Sequence, residues 1–127
     1  MSGKAKRYRF ASAQRLHGRR AFGAVYQAAT RKPAGPLLVY GKPNDLEHSR
    51  LGLSVSRKVG IAVRRNRIKR LLREAFRLDQ HELPAGYDWI VVVRPHEPLD
   101  LDKYRQHLMT VTSSLDKRWR KRDKPVG

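Results

Sequence analysis

Three consecutive pieces of sequence decide the fold: Leu51-Gly52-Leu53-Ser54-Val55-Ser56, then the stretch from Val63 through Arg65-Asn66-Arg67-Ile68-Lys69-Arg70 to Leu78, then Trp89-Ile90-Val91-Val92-Val93. In the first, Leu51, Leu53 and Val55 alternate with Gly52, Ser54 and Ser56. Period two is the signature of a strand, and the small residues leave one face open to close approach. In the second, Ile68, Leu71, Leu72, Ala75 and Phe76 fall at i, i+3, i+4, i+7 and i+8, which predicts an amphipathic helix over about 63–78. The third is a continuous apolar run, suited to a strand buried on both faces. Leu83-Pro84-Ala85-Gly86 supplies the turn between helix and second strand. Strand, helix and buried strand predict a parallel pair joined by a crossover.

Working outward, Phe22, Val25, Tyr26 and Ala29 are spaced for a short helix over about 19–30. Pro33-Ala34-Gly35-Pro36 reads as a turn. Leu37-Leu38-Val39-Tyr40 then reads as a strand ended by Gly41 and Pro43, with a loop from Pro43-Asn44-Asp45. At the far end, Leu101, Tyr104, Leu108, Val111 and Leu115 predict a helix to about Trp119, started by acids at Asp100 and Asp102. Residues 1–14 read as a flexible basic arm and 120–127 as a basic tail, with no internal repeat. The order α-β-β-α-β-α predicts one α/β (α+β) domain over 1–127, a two-layer sandwich with a small mixed sheet and three helices.

Composition bounds the function. The 127 residues include 29 Lys+Arg and 11 Asp+Glu, a net charge of +18, while 30 residues are Leu, Ile, Val or Phe, enough for a small core. There is no cysteine, which excludes disulfides, thiolate metal sites and Cys nucleophiles and suits a reducing cytoplasm. No apolar run exceeds Trp89–Val93, too short for a membrane span, and the basic opening lacks the apolar centre of a secretory signal. Such an excess of cations points to a polyanion.

The charge is concentrated. Residues 57–77 hold nine of the cations and one acid, Glu74. At 100° per residue from Ile68, Asn66, Arg70, Arg73 and Arg77 fall at about 140–200°, on one outward ridge flanked by Arg67 and Lys69. Arg forks match phosphate oxygens at two points, and Asn reads a base edge or braces a phosphate. A solvated charged face would intersperse acids at helical spacing, and this one has almost none. A membrane-surface helix would carry a Trp-rich belt on its other face, which here has none. A DNA-reading helix-turn-helix would need a partner helix where this chain places strands.

The hexapeptide Arg65-Asn66-Arg67-Ile68-Lys69-Arg70 follows Leu51-Gly52-Leu53-Ser54-Val55-Ser56-Arg57-Lys58 and precedes Arg73-Glu74-Ala75-Phe76-Arg77. Together they resemble the Arg-Asn-Arg region of the protein subunit of bacterial ribonuclease P. The likeness extends upstream through Arg15-Leu16, Phe22 and Tyr26, and downstream through Asp88–Val93. It implies a fold like the second domain of ribosomal protein S5, with a left-handed crossover against the usual preference. It also implies an accessory protein whose partners are a catalytic RNA and precursor tRNA, with no obligate protein partner. In such a holoenzyme the RNA cuts off the 5′ leader with Mg2+, and the protein alone holds no cofactor. The resemblance places Arg65, Asn66, Arg67, Lys69, Arg70 and Arg73 on the catalytic RNA, and the ridge adds Arg77. It places Phe22, Tyr26, Tyr40, Arg57 and Lys58 along the single-stranded leader. Aromatics beside cations are the chemistry of a single-strand groove, although Phe22 and Tyr26, four apart on a helix, also fit a plain core.

Autonomous catalysis finds little support. His17, His48, His81, His96 and His107 have no paired spacing, and Asp100 and Asp102 are explained as helix-start acids rather than metal ligands. No catalytic or metal-binding residue is expected in the chain. The other reading compatible with the charge is a general RNA-binding or ribosome-associated structural protein.

Overall fold

A computed structural model describes residues 12–28 and 30–123 of the chain. Its elements are helix α1 (Arg19–Gln27), strands β1 (Arg31–Ala34), β2 (Leu37–Pro43) and β3 (Arg50–Val55), helix α2 (Ala62–Asp79), strand β4 (Tyr87–Val93) and helix α3 (Leu101–Asp123). Single 3-10 turns lie at Ser12–Gln14 and Arg57–Val59. The strands form one sheet in the order β1-β2-β4-β3, in which β3 and β4 are parallel and the other pairs antiparallel. The parallel pair joined by a helix is the arrangement that 51–93 predicted.

The alternation in β4 divides the interior into two cores. Trp89, Val91 and Val93 pack with Leu37, Val39, Ile68, Leu72, Phe76, Tyr104, Leu108, Val111 and Leu115, beneath α2 and α3. Ile90 belongs to the opposite face, where it is buried with Leu16 and Val25, and Val92, Ala21, Phe22 and Tyr40 pack around them. The run Trp89–Val93 is therefore apolar throughout because both faces of the sheet are covered along it. Helix α1, nine residues long, packs on this face through Ala21, Phe22 and Val25.

The sequence reading lacks one strand. Pro33 and Ala34 were expected in a turn, but they close β1, which pairs with β2 from Arg31↔Tyr40 to Ala34↔Leu37 around Gly35 at φ 57°. Proline is tolerated because β1 is an edge, where a missing N–H need not break a ladder on both sides. Helix α1 ends at Gln27, short of the expected residue 30. Helix α3 instead runs past Trp119 to Asp123. Its last turn is anchored: Trp119 Nε1 donates to the Gly41 carbonyl at 3.0 Å, and the Arg122 guanidinium lies 4.8 Å from the Trp119 ring centre. Tertiary contacts of this kind hold a terminal turn that propensity alone would fray. At its start the Asp100 side chain accepts from the Lys103 N–H at 2.9 Å, the cap that the acids predicted. Of the expected arm over 1–14, Gln14 is bonded to Gln80, and just beyond it the Leu16 N–H donates to Leu51 O at 2.9 Å along the β3 edge. Residues 1–11 and 124–127 lie outside the described residues.

Candidate nucleic-acid interface

The first surface is built by strand register. Arg31, Tyr40, Ile90 and Gly52 are directly paired in turn across β1, β2, β4 and β3, so they form one row on the α1 face. Helix α1 lies along this row, with Phe22 against Gly52, Val25 buried with Ile90, and Tyr26 against Tyr40. Phe22 and Tyr26 ring centres are 6.3 Å apart, and Tyr26 meets Tyr40 edge to face at 4.8 Å. Tyr26 is exposed, while Phe22 and Tyr40 are half-buried. The three rings therefore form one line with both packed and open surface.

The next row on this face is Leu38, Val92 and Ser54, each half-buried, with Val92 packed against the cluster under α1. Arg57 and Lys58 stand exposed just past the β3 end of that row. They are held outward because Val59, in the same 3-10 turn, is buried in the main core. The sequence reading missed two cations here. Arg94, one residue past β4, is exposed and held by its N–H to Pro36 O at 3.0 Å. Arg31 donates to the Tyr40 hydroxyl at 3.3 Å. Their only signal was position, immediately beside strands whose register was still unknown.

The second surface lies on α2. Asn66, Lys69, Arg70, Arg73, Glu74 and Arg77 line one groove of ≈ 330 Å³, so the predicted ridge is brought together. Its charges are not equivalent. Arg77 donates from Nε to Glu74 Oε1 at 2.9 Å, and this bond holds the Glu74 carboxyl below its ordinary pKa and raises that of Arg77. Much of the Arg77 charge is thereby answered within the helix. Arg73 is pulled the other way: burial first, then the neighbouring Arg15 cation, lower its pKa. Arg65 folds back, donating to Gly60 O at 3.1 Å, and Arg67 is exposed away from this groove, near enough to Tyr104 to oppose the rise that burial imposes on that phenol.

The two surfaces meet at the β3 edge. A cleft of ≈ 260 Å³ is lined by Phe22 and Gly52 from the first, Lys69 and Arg73 from the second, and Arg15 and His17 from the segment before α1. Arg15 is a third cation that charge counting alone did not single out; it reaches the site because it bridges to Leu51 alongside β3.

Among the described residues, no group of three or more His, Cys, Asp or Glu is placed to hold a metal ion, and no helix is long and apolar enough to cross a membrane. The histidines have separate settings. His48 bonds the Ala13 carbonyl, His96 the Tyr104 hydroxyl at 2.7 Å, and His107 packs against Gly35.

Residues 10–116 match the sequence model of the ribonuclease P family. The chain is 43% identical over 101 residues to the ribonuclease P protein component of Photorhabdus laumondii, covering 79% of each chain. It is 47% identical over 87 residues to that of Azotobacter vinelandii, covering 67% of this chain and 66% of the other. Among solved structures, the Thermotoga maritima RNase P protein superposes with a TM-score of 0.72 at 32% identity, over 79% of this chain and 96% of that one. A Staphylococcus aureus RNase P protein mutant with defective mRNA degradation activity gives 0.73 at 30%, over 82% and 89%. The chain belongs to the ribonuclease P protein family, the accessory protein components of an RNA-based endoribonuclease of tRNA processing.

Proposed function

We propose that the two surfaces divide the work of the holoenzyme. The α2 groove, through Asn66, Lys69, Arg70 and Arg73 with Arg65 and Arg67 beside it, binds the catalytic RNA. The cleft of Phe22, Tyr26, Tyr40, Arg57 and Lys58 takes the single-stranded 5′ leader of precursor tRNA. The observation that carries this reading is the groove that gathers Asn66, Lys69, Arg70 and Arg73 on one side of α2 and meets, through Lys69 and Arg73, the cleft lined by Phe22 and Gly52. Guanidinium and ammonium groups gathered on one helical face are matched by phosphate, and counterion release then drives binding.

The chain's own part in catalysis is positional. Cations on α2 screen repulsion between RNA phosphates, and the aromatic line stacks leader bases, each worth about 1–3 kcal/mol. Mature tRNA lacks the leader and forgoes that stacking, so precursor binds better than product. Hydrolysis is supplied by Mg2+ held in the RNA, and the reaction takes place in the cytoplasm with no obligate protein partner. Reconstitution with the catalytic RNA at low magnesium tests the assignment. Faster cleavage of precursor tRNA with the protein is expected; equal cleavage without it sinks the reading.

A further inference from the structure

Among the described residues, some arginines are held by carboxylates and others by neutral oxygens. Arg50, Arg64, Arg77, Arg105 and Arg120 are paired to the carboxylates of Asp88, Glu97, Glu74, Asp79 and Asp116. Arg31, Arg118 and Arg122 are held by neutral acceptors instead. Arg31 Nη1 donates to the Tyr40 hydroxyl at 3.3 Å, Arg118 Nη1 to the Arg31 carbonyl at 3.2 Å, and Arg122 Nη1 to Thr30 Oγ1 at 3.4 Å. Among the described residues, none of the three has a carboxylate within ion-pair distance. Each guanidinium has five N–H donors, so a single bond to a neutral oxygen places the fork without cancelling its charge.

The three are contiguous. Arg31 ends the row Gly52, Ile90, Tyr40, Arg31 at the β1 edge. Arg118 and Arg122, one helical turn apart on α3, reach that edge from the other layer, and Trp119 between them is tied to Gly41. All three arginines are exposed. Resting on the leader-cleft reading above, we propose that they form a distal phosphate-binding tract for the upstream part of the same single strand of RNA. The strand enters at the β3 edge near α2, crosses the aromatic line, and turns over the β1 edge onto α3. Three strand spacings make the crossing about 14 Å, or about four stacked nucleotides, so only a longer leader reaches the tract.

The test uses holoenzyme reconstituted with the catalytic RNA, and precursors with leaders of about three and about ten nucleotides. With Arg118→Gln and Arg122→Gln combined, affinity for the long-leader precursor should fall about five- to tenfold and its salt slope by about 1.4, the value for two lost single-strand phosphate contacts. Affinity for the short-leader precursor and for the catalytic RNA should not change. The Arg118→Lys, Arg122→Lys pair should restore most of the long-leader affinity. In the unsubstituted protein, the long leader but not the short should shield Arg118 and Arg122 from an arginine-selective dicarbonyl reagent. Equal losses on both leaders, a loss confined to catalytic-RNA binding, or equal reagent reactivity would overturn the tract while leaving the cleft reading intact. If the unsubstituted holoenzyme binds both precursors no better than mature tRNA, the cleft reading fails first and the tract with it.

Discussion

The Phe22 ring presses on Gly52 so closely that a Cβ added at residue 52 would lie 2.6 Å from Phe22 Cζ. Residue 52 therefore sets the height of the ring above the sheet. Gly52→Ala should displace Phe22, cost about 1–3 kcal/mol of stability by overpacking, and weaken precursor binding more than mature-tRNA binding. Thermal unfolding alongside parallel tRNA titrations checks this. Unaltered precursor preference in a folded variant would remove Phe22 from the groove.

Truncating the rings themselves gives a sharper contrast. Phe22→Ala or Tyr40→Ala should reduce precursor affinity by about 1–3 kcal/mol with little change for mature tRNA, whereas Tyr40→Phe, which keeps the stacking plane, should stay near the parent. Equal losses on precursor and product would return both residues to a purely structural role.

On α2, Arg70→Ala with Arg73→Ala should weaken catalytic-RNA binding and flatten its dependence on salt. Each phosphate contact removed takes about 0.7–0.9 off the slope of log affinity against log salt. An unchanged slope would show that these side chains do not meet phosphate.

Glu74→Gln should act in the opposite direction. It releases Arg77 and raises the net charge by one, so catalytic-RNA affinity should rise at low salt and the slope should steepen. The folded Glu74 pKa is lowered by Arg77, so the pair's contribution to stability is fully present above the unfolded carboxylate value of 4.5 and is lost as pH falls through the lower folded value. The variant should lose that acid-side dependence, a change of under about 1 kcal/mol for so exposed a pair. Acid unfolding curves of the two proteins measure it.

A final prediction concerns the sheet beneath the site. Asp88 is buried, accepts from Arg50 Nε and Nη2 at 2.7 Å each, and accepts from Asn44 Nδ2 at 2.9 Å. Asp88→Ala strands a cation against β4 and should cost about 2–3 kcal/mol, less than a fully buried pair because Arg50 is partly solvated. Chemical denaturation should show a lower midpoint with an unchanged slope.

Much of this architecture was legible where period and composition agree. Ile68, Leu72, Ala75 and Phe76 are buried as the helical spacing required, and Trp89–Val93 is the strand covered on both faces. Gly52 read correctly as a point of close approach, since the Phe22 ring packs directly on it, and Ser54 beside it is half-buried. β1 was not legible: Pro33 and Gly35 carry turn chemistry, and only the unpaired side of an edge strand makes Pro33 acceptable. The last turn of α3 escaped because its stability comes from Gly41, 78 residues away from Trp119 in sequence.

The candidate site divides along the same line. One helix carries Asn66, Lys69, Arg70 and Arg73, so angular arithmetic assembled them. That arithmetic also put Arg77 among them without showing that Glu74, three residues before it, would engage its charge. Arg15, Arg31 and Arg94 join the site through strand pairing, which local pattern does not encode. Phe22, Tyr26 and Tyr40 were named through family resemblance; their alignment depends on the register Tyr40↔Ile90↔Gly52.

Among the described residues, the buried cluster that seats helix α1 comprises Leu16, Val25 and Ile90, apart from the larger core that holds α2 and α3. A small foundation of that kind can open without the rest of the molecule opening. On the proposed division of surfaces, selection can thus retune the hold on the leader by swapping aliphatics under α1, while the scaffold that presents Arg70 and Arg73 keeps its own stability. Amide exchange in α1 faster than in β4 and α2 would be the physical mark of that independence.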